Sequence, residues 1–342
     1  MSGISLERIG EALDHLVTAP ISNWTILKGI PLATLYAAAR AKAGAPLCLA
    51  AARMLATDIH PGDTVLVLSG FVMRDYGRPE TDGPIGAAVL ARSIALGLGA
   101  IPIAVSELEC LPSLEACFTT AGLVPAALAD IRRGRNRCAF VPFPLDRADA
   151  EATARHLLDE LAPKAIIAIE RPGAGRDGEY HGGGGFSISS FTAKTDVLFA
   201  LAQDRGIGTI GIGDLGNELG MGVVAPEVRQ HVPLGDTIAA ELAADVAVIA
   251  NISNWGAYGV AACLAAMLGN EDLFHDGKQE LRLIDACVRA GAIDPVGGQL
   301  RPWVDGTDGV ANAALVDLLR SVVALAQRER GNIADYQSSW QK

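Results

Sequence analysis

The sequence predicts an α/β fold: a mostly parallel, Rossmann-like sheet with helices on both faces and a helical N-terminal decoration. Two observations support this prediction. Short, uninterrupted apolar runs alternate along the chain with longer segments of helical character, and such runs are typical of strands that are buried on both faces. Half of the 342 residues are hydrophobic but only 5% are aromatic, so the core must be built mainly from Val, Ile, Leu and Ala, as in parallel sheets.

The N-terminal part, residues 1–60, is predicted to be helical. Apolar residues recur at helical spacing over 6–17, and an alanine-rich tract spans 31–55 with interruptions at Gly44 and Pro46. These segments are expected to pack as helices beside the sheet.

Strands and helices alternate through the predicted α/β core, residues 61–270. Its first helix is well marked, because Asp82 and Gly83 are candidate caps and Pro84 stands at the first helical position. The predicted strands are 64–70, 101–105, 137–141, 165–169, 208–212 and 246–250. The predicted helices are 84–98, 113–121, 146–161, 192–204 and 255–268. Alternation of this kind indicates a parallel sheet with helices on both faces.

The C-terminal part, residues 271–342, is predicted to hold two helices, 279–290 and 310–328. Between them a Gly/Pro-rich segment, 291–298, is predicted to form a hairpin or an extended excursion. No Pro/Ser-rich linker and no internal repeat divides the sequence, so all 342 residues are predicted to form a single domain.

Composition narrows the class of partner. The chain has 28 Lys and Arg against 39 Asp and Glu, a net charge of −11, which disfavours nucleic acid and anionic membranes as partners. No signal peptide and no membrane-spanning apolar stretch is predicted. The six cysteines are scattered without metal-ligand spacing, which favours small core residues in a reducing compartment. We therefore expect a cytoplasmic protein that acts on a small molecule. The sequence leaves its oligomeric state open, and a homo-oligomer is one of the alternatives.

Acidic residues follow several predicted strands at the point where each strand ends. They are Glu80, Asp82, Glu170, Asp214 and Glu218. Because the carboxyl ends of parallel strands meet at one edge of a sheet, these side chains are expected to converge. Crowded carboxylates either retain a proton, which gives a general acid, or bind a divalent cation such as Mg²⁺ or Mn²⁺. The residues alone leave both solutions open.

The same loops also match a dinucleotide-binding pattern and a helix-capping pattern. The Gly211–Gly213–Gly216 pattern matches a dinucleotide loop, but no tightly packed helix is predicted after it and Asp214 would face the pyrophosphate. No nucleotide cofactor is therefore expected. Asp82 and Asn254 could instead serve only as helix caps.

At these loops the sequence resembles the C-terminal domain of the D-glutamate cyclase family. The resemblance covers about residues 65–267 and rests on the joint occurrence of motifs in the family's order. The motifs are Gly70-Phe, Glu80-Thr-Asp-Gly-Pro84, Ala168-Ile-Glu-Arg171, Asp177-Gly-x-Tyr180, Gly211-Ile-Gly-Asp214, Gly216-Asn-Glu-Leu-Gly-Met-Gly222 and Ser253-Asn-Trp-Gly256. The resemblance implies an α/β fold and a carbon–oxygen lyase that dehydrates D-glutamate to 5-oxo-D-proline, with stimulation by a cation such as Mn²⁺.

Lactam closure needs a base for the ammonium and a proton or cation for the departing oxygen. Together with the resemblance, this chemistry gives three groups of candidate residues. The predicted catalytic residues are Glu170, Asp214 and Glu218. The predicted substrate-binding residues are Thr81, Arg171 (as a carboxylate clamp), Tyr180, His181, Asn217 and Asn254. The predicted ligands of Mn²⁺ or Mg²⁺ are Glu80, Asp82 and Asp214.

Two departures from the family's pattern bear on the substrate. His181 and four glycines, Gly182 to Gly185, stand where members usually carry an Asn and an Arg, and Leu215 replaces a glycine. The substrate could thus be a related acidic amino acid, and the glycine segment is expected to be a mobile loop that closes over it. A lactam or cyclic-amide hydrolase and a non-catalytic small-molecule sensor are the alternative functions.

Overall fold

The structure is a computed structural model that describes residues 5–22 and 29–327. Within these residues, seven strands form one parallel sheet and four short strands form two antiparallel hairpins. The strands are β1 (Thr64–Ser69), β2 (Val72–Met73), β3 (Arg78–Pro79), β4 (Ile101–Ser106), β5 (Val124–Pro125), β6 (Arg137–Pro142), β7 (Ala165–Ile169), β8 (Gly208–Gly213), β9 (Val246–Ile249), β10 (Trp303–Val304) and β11 (Thr307–Asp308).

The same part of the chain contains twelve α-helices. They are α1 (Leu6–Val17), α2 (Leu32–Ala43), α3 (Leu47–Asp58), α4 (Pro84–Leu98), α5 (Leu111–Thr120), α6 (Arg147–Leu161), α7 (Thr195–Asp204), α8 (Ala225–His231), α9 (Gly235–Ile238), α10 (Ser253–Leu268), α11 (Gly277–Arg289) and α12 (Gly309–Gln327). The predicted end of the last helix at Arg328 lies outside the described residues.

The predicted α/β class is confirmed, and the core lies on both faces of the sheet. Successive side chains of β1 point to opposite faces, as they do in any strand. Val65 and Val67 pack in the core that includes α3, α4 and α10, whereas Leu66 and Leu68 pack with α6 and α7. Both faces are covered, which explains why the strands are continuous apolar runs rather than alternating ones.

The strand order places a topological switch beside β1. The seven parallel strands lie in the order β5–β6–β4–β1–β7–β8–β9. The chain leaves β1 towards β4 and β6, then crosses back to build β7, β8 and β9 on the other side. Open α/β sheets bind their ligands at such a point, outside the carboxyl ends of the strands.

Several predicted elements need correction. The six predicted core strands are confirmed to within one residue, but the helix predicted at 192–204 begins only at Thr195, and the one predicted at 113–121 begins at Leu111. The segment 291–298, predicted as a hairpin or an extended excursion, forms no named strand, but Asp294 pairs with Gln299 in an isolated antiparallel bridge; a regular hairpin follows as β10 and β11. The hairpin of β2 and β3 and the edge strand β5 were not predicted.

The expectation that no segment could span a membrane also needs correction. Among the described helices, α12 is long and apolar enough to span a membrane, judged by length and composition alone. Of its most apolar 18-residue stretch, 39% is buried. It packs against α1, α10 and α11, and core helices of soluble proteins pass the same test. The single domain over residues 1–342 stays a prediction.

Candidate active site

A cavity of about 280 Å³ lies at the switch point, where β1, β7 and β8 end. Its lining comes from the segments that follow these strands and from the C-terminal segment after α11. The lining residues are Phe71, Val72, Met73, Arg74, Glu80, Glu170, Gly182, Gly183, Gly184, Phe186, Ile188, Asp214, Leu215, Asn217, Pro295 and Asp305. The site is therefore built from distant parts of the chain.

Buried carboxyl groups converge on this cavity. They are Glu80, Asp82, Glu170, Asp214, Glu218 and Asp305. One carboxylate oxygen from each of Asp82, Asp214 and Asp305 lies within 4.8 Å of the others, and the same holds for Glu170, Asp214 and Glu218. Asp214 belongs to both groups, so it stands at the centre of the cluster. The convergence of the five acids that the sequence singled out agrees with the predicted fold.

Asp82 is held by backbone N–H groups at the start of α10. Its Oδ2 accepts from the N–H of Ser253 at 2.8 Å and its Oδ1 from that of Asn254 at 2.7 Å. In return, Asn254 Oδ1 accepts from the N–H groups of Gly83 at 2.9 Å and Gly86 at 2.6 Å, at the start of α4. We call this pair the reciprocal caps. Each of the two helices is thus capped by a side chain from the segment in which the other helix begins.

Glu218 is held in a similar way by the loop that follows β8. Its Oε1 accepts from the N–H groups of Asp214 at 3.0 Å and Leu215 at 2.8 Å, and its Oε2 from that of Gly216 at 2.7 Å. A Cβ at Gly213 would lie 2.6 Å from Oε2, so a side chain there would displace the carboxylate that these N–H groups hold. These N–H groups are the ones that a phosphate would need in a dinucleotide loop. The arrangement favours a role in positioning Asp214 over the direct catalytic role predicted for Glu218.

The remaining acids are poised to hold protons. Burial, and after it the neighbouring carboxylates, raises the pKa of Glu80, Glu170 and Asp214 well above the ordinary range. Burial and the nearby Asp294 raise the pKa of Asp305 to about 7. At neutral pH such groups either donate a proton or bind a cation that replaces it.

Two of these acids have a strained backbone. Glu170 has a φ of 42° and Asp305 a φ of 48°, in the left-handed region that side-chain-bearing residues seldom adopt. Glu170 is fixed there by its N–H, which donates to Ile212 O at 3.1 Å, and by Ser253 Oγ, which donates to its Oε2 at 2.6 Å. Strain of this kind is concentrated at functional sites.

Asp305 was missed by sequence reasoning. It lies in the two-residue turn between β10 and β11, where Asp305 and Gly306 both have positive φ, the pattern of a type I′ hairpin. The Asp-Gly pair could have predicted this turn. Its place in the site could not be predicted, because it depends on Asp294, whose Oδ1 accepts from the N–H of Gly306 at 2.8 Å.

Arg171 lies away from the cavity lining and contacts the protein itself. Its guanidinium is fully buried; it pairs with the carboxylate of Glu107, and its Nη1 donates to Gly70 O at 3.0 Å. Its Nε donates to Thr195 Oγ1 at 2.9 Å and its Nη2 to Ala193 O at 2.7 Å. The carboxylate that Arg171 clamps is thus the protein's own. This arrangement favours a positioning role over the predicted substrate clamp.

The polar side-chain atoms of three other predicted substrate-binding residues also form hydrogen bonds within the protein. The Tyr180 hydroxyl donates to Asp196, and Thr81 Oγ1 donates to Trp303 O at 2.8 Å. Asn254 caps α4 as described above and donates from Nδ2 to Thr81 O at 3.1 Å. The capping alternative weighed for Asn254 is therefore the one that the geometry supports.

Asn217 lines the cavity, and His181 lies directly behind it. Asn217 Nδ2 donates to His181 O at 2.9 Å, while the buried His181 Nδ1 has no hydrogen-bond partner among the described residues. Substrate contact by these two residues stays a prediction.

The glycine segment after His181 is a closed turn. The N–H of Gly182 donates to Phe186 O at 3.0 Å, and the N–H of Gly185 donates to Gly182 O at 2.8 Å. The Phe186 ring lies across the turn, since a Cβ at Gly184 would come within 2.7 Å of it. Two backbone hydrogen bonds and the Phe186 ring therefore hold these glycines locally. Closure of the segment over a substrate stays a prediction.

Arg74 is a second residue that sequence reasoning missed. It lines the cavity from the turn between β2 and β3, and its Cζ lies 4.2 Å from the centre of the Phe186 ring. Arg74 lies in the loop after β1, in which residues 80 to 82 were predicted to have a function. A single arginine in a loop does not by itself predict substrate binding.

A family model described as "D-glutamate cyclase-like, C-terminal" matches residues 32–320. The chain belongs to this family. It is also similar to the human protein "D-glutamate cyclase, mitochondrial", with 33% identity over 209 residues, which cover 59% of this chain and 32% of the relative. The chain thus corresponds to about a third of that curated relative.

Family membership confirms the resemblance stated from the motifs. The D-glutamate cyclase-like match includes β1, β7 and β8 and every acid of the cluster, Asp305 among them. The name of the human relative gives a mitochondrial location for that protein. The cytoplasmic location expected from the sequence is therefore unsupported by the comparison and stays a prediction.

Proposed function

We propose that this protein is a carbon–oxygen lyase that dehydrates D-glutamate, or a related acidic amino acid, to 5-oxo-D-proline or the corresponding lactam. The observation that carries the proposal is the set of buried carboxyl groups with raised pKa around a cavity of about 280 Å³. Membership of the D-glutamate cyclase-like family supports the reaction class.

The proposed reaction makes one bond and breaks another within the same molecule. The amine nitrogen attacks the γ-carboxyl carbon, a C–N bond forms, and the C–O bond to one γ-oxygen breaks to release water. The nitrogen loses two protons, one before the attack and one after it, and the departing oxygen gains two protons to leave as water, so a base is needed at the amine and an acid at the carboxyl group. Carboxyl groups with a raised pKa can perform both transfers, and burial together with the neighbouring carboxylates raises the pKa of Glu170 and Asp214.

Glu170 and Asp214 are the proposed acid–base pair. Both line the cavity, and an oxygen of each lies within 4.8 Å of the other. The Ser253 hydroxyl orients Glu170 through Oε2, while Glu218 fixes the loop that carries Asp214. Holding the two ends of the substrate together supplies a large part of the rate enhancement, because oriented intramolecular reactions reach effective molarities on the order of 10⁵ M or more.

The cluster also fits a divalent cation. Asp82, Asp214 and Asp305 offer oxygen atoms within 4.8 Å of one another, and carboxylate oxygens are the ligands that Mg²⁺ and Mn²⁺ prefer. Asp214 and Asp305 are the proposed principal ligands, because three backbone N–H groups already occupy Asp82. A bound cation would polarise the carboxyl group that loses oxygen.

The proposal is tested by incubating the protein with D- and L-glutamate and with D- and L-aspartate, with and without Mn²⁺. Lactam formation is followed by chiral chromatography and mass spectrometry. The same assay started from the lactams measures hydrolysis, which is the reverse chemistry. We expect lactam from at least one acidic amino acid, and we expect Glu170→Gln to lower turnover by about 100-fold or more.

A matched substitution at the surface controls for nonspecific effects. Glu115→Gln replaces an exposed glutamate of α5 and should leave turnover unchanged. Net hydrolysis without lactam formation would favour the cyclic-amide hydrolase. Binding without turnover in any direction, with or without the cation, would favour the sensing module and contradict the proposal.

A further inference from the structure

The cavity wall has one cation among many acids. Of the residues that line the cavity in the described part of the chain, Arg74 alone is basic. Arg171, the cation expected to bind substrate, is buried on Glu107 instead. Nearby, Lys194 donates to Ser189 O at 2.6 Å and Thr192 O at 2.8 Å and lies outside the lining. Among the described residues that line the cavity, Arg74 is therefore the side chain that offers a positive charge to a ligand.

Charge is distributed unevenly between the buried and the exposed ends of the cavity. Glu170, Asp214 and Asp305 are at most 8% exposed, whereas the Arg74 side chain is 43% exposed. A ligand that spans the cavity thus meets carboxyl groups at its inner end and a guanidinium at its outer end. Glutamate has the matching arrangement if its reacting carboxyl group and amine point inwards and its α-carboxylate points outwards.

Two neighbouring turns hold the guanidinium in place. Arg74 begins the turn between β2 and β3, which is closed by the N–H of Gly77 donating to Met73 O at 2.9 Å. Its Nε donates to Asp75 Oδ1 at 3.0 Å, and its Cζ lies over the ring of Phe186 in the glycine turn, 4.2 Å from the ring centre. The contacts found in the described structure use Nε and the face of the group, so the two Nη nitrogens remain for a ligand. An arginine held in this way can bind a carboxylate through two parallel N–H groups.

We infer that Arg74 binds the carboxylate of the substrate that does not react, and so restricts the site to α-amino acids and their carboxylated lactams. This inference rests on the proposed function, because the proposed reaction determines which end of the substrate points into the cavity. It gives the glycine turn a defined part: the turn presents Phe186, and Phe186 orients Arg74. The small Gly184 is required because a larger residue would displace the ring.

The test compares ligands that differ only in the outer carboxylate. The dissociation constants of 5-oxo-D-proline and pyrrolidin-2-one, its analogue without a carboxylate, are measured by calorimetry. The steady-state constants of D-glutamate and 4-aminobutyrate are measured in parallel. We expect Arg74→Ala to weaken binding of 5-oxo-D-proline by about tenfold or more and to leave pyrrolidin-2-one unchanged. Arg74→Lys should restore part of the loss, because it keeps the charge but not the fork.

Arg78→Ala is the matched control. Arg78 is an exposed residue of the same hairpin that does not line the cavity, and its loss should change neither ligand. Equal weakening of both lactams by Arg74→Ala, or no weakening of either, overturns the inference. A wild-type protein that binds 5-oxo-D-proline through Arg74 but forms and hydrolyses no lactam would refute the proposed function alone. Failure of the wild-type protein to bind any of these ligands, together with no lactam from any acidic amino acid tested, would refute both.

Discussion

Glu170 and Asp305 bring carboxyl groups into the cavity from backbone conformations that are costly for residues with a Cβ. Their φ values of 42° and 48° lie in the left-handed region, which costs roughly 1–2 kcal/mol for L-residues. The structure holds them there through contacts with distant segments, Ser253 for Glu170 and Asp294 for the Asp305 turn. Placing these two carboxyl groups therefore lowers the stability of the fold.

This cost can be measured at Asp305 with two substitutions that both remove the carboxyl group. Asp305→Gly should be more stable than Asp305→Ala by about 1 kcal/mol in the free energy of unfolding, because glycine alone adopts positive φ without strain. Urea denaturation gives the two values. At Glu115, within α5, the order should reverse, since glycine is about 1 kcal/mol worse than alanine inside a helix. Equal stabilities at Asp305 would show that its backbone is not strained.

At the scale of elements, the reciprocal caps join α4 and α10 at the site. Glycine and small residues let these helices approach closely, since a Cβ at Gly86 would lie 2.8 Å from Asn254 Cα. Neither helix has a capping hydrogen bond from the side chain of the residue immediately before it. The N–H groups at both starts are buried, so loss of their acceptors leaves them unsatisfied.

We predict that Asp82→Ala and Asn254→Ala each lower the free energy of unfolding by about 1–2 kcal/mol. The double variant should lose less than the sum, with a coupling of about 0.5 kcal/mol or more, because each cap depends on the packing that the other maintains. Chemical denaturation of the four proteins gives the coupling directly.

A local cap provides the comparison for this cycle. Asp276 caps α11, with Oδ1 accepting from the N–H of Gln279 at 2.8 Å, and Asp276→Ala should be additive with Asp82→Ala. Strict additivity between Asp82→Ala and Asn254→Ala as well would mean that the two caps act independently.

The sequence predicted elements better than it predicted contacts. Continuous apolar runs located all six core strands, and the motifs after them located five of the clustered acids. The short strands β2, β3 and β5 escaped because two residues carry no periodicity. Arg171 was predicted as a substrate clamp and Arg74 was missed for the same physical reason: a formal charge does not indicate whether its partner is a ligand or, as at Glu107, part of the protein.

At the scale of the whole molecule, the buried acids should make stability depend on pH. Carboxyl groups in the unfolded chain ionise near about pH 4, whereas the pKa of Asp305 is about 7 in the folded protein. Between these values the folded state binds more protons than the unfolded chain, so the free energy of unfolding falls as pH rises. The contribution is complete below about pH 4 and is lost as pH passes about 7.

We therefore predict that wild-type protein loses stability relative to Asp305→Asn between about pH 5 and about pH 8. The difference between the two proteins isolates this group from carboxylates with the opposite slope, such as Glu179, whose hydrogen bonds with Ser189 and Ser187 lower its pKa. Urea denaturation across this range gives the difference, and Mn²⁺ at the alkaline end should restore wild-type stability more than that of the variant. A wild-type advantage that grows with pH in the absence of a cation would contradict the prediction.

The reciprocal caps also constrain the order in which the molecule can be completed during its synthesis. Asp82 and the N–H of Asn254 are separated by 172 positions in the chain. While the ribosome is still translating the intervening segment, the beginning of α4 has been made but its acceptor has not. Glu170 and Asp214 likewise emerge before Ser253, the residue that orients Glu170. A nascent chain therefore cannot assemble the cavity early, and the site is complete only after residues 253, 254 and 305 have left the exit tunnel and docked.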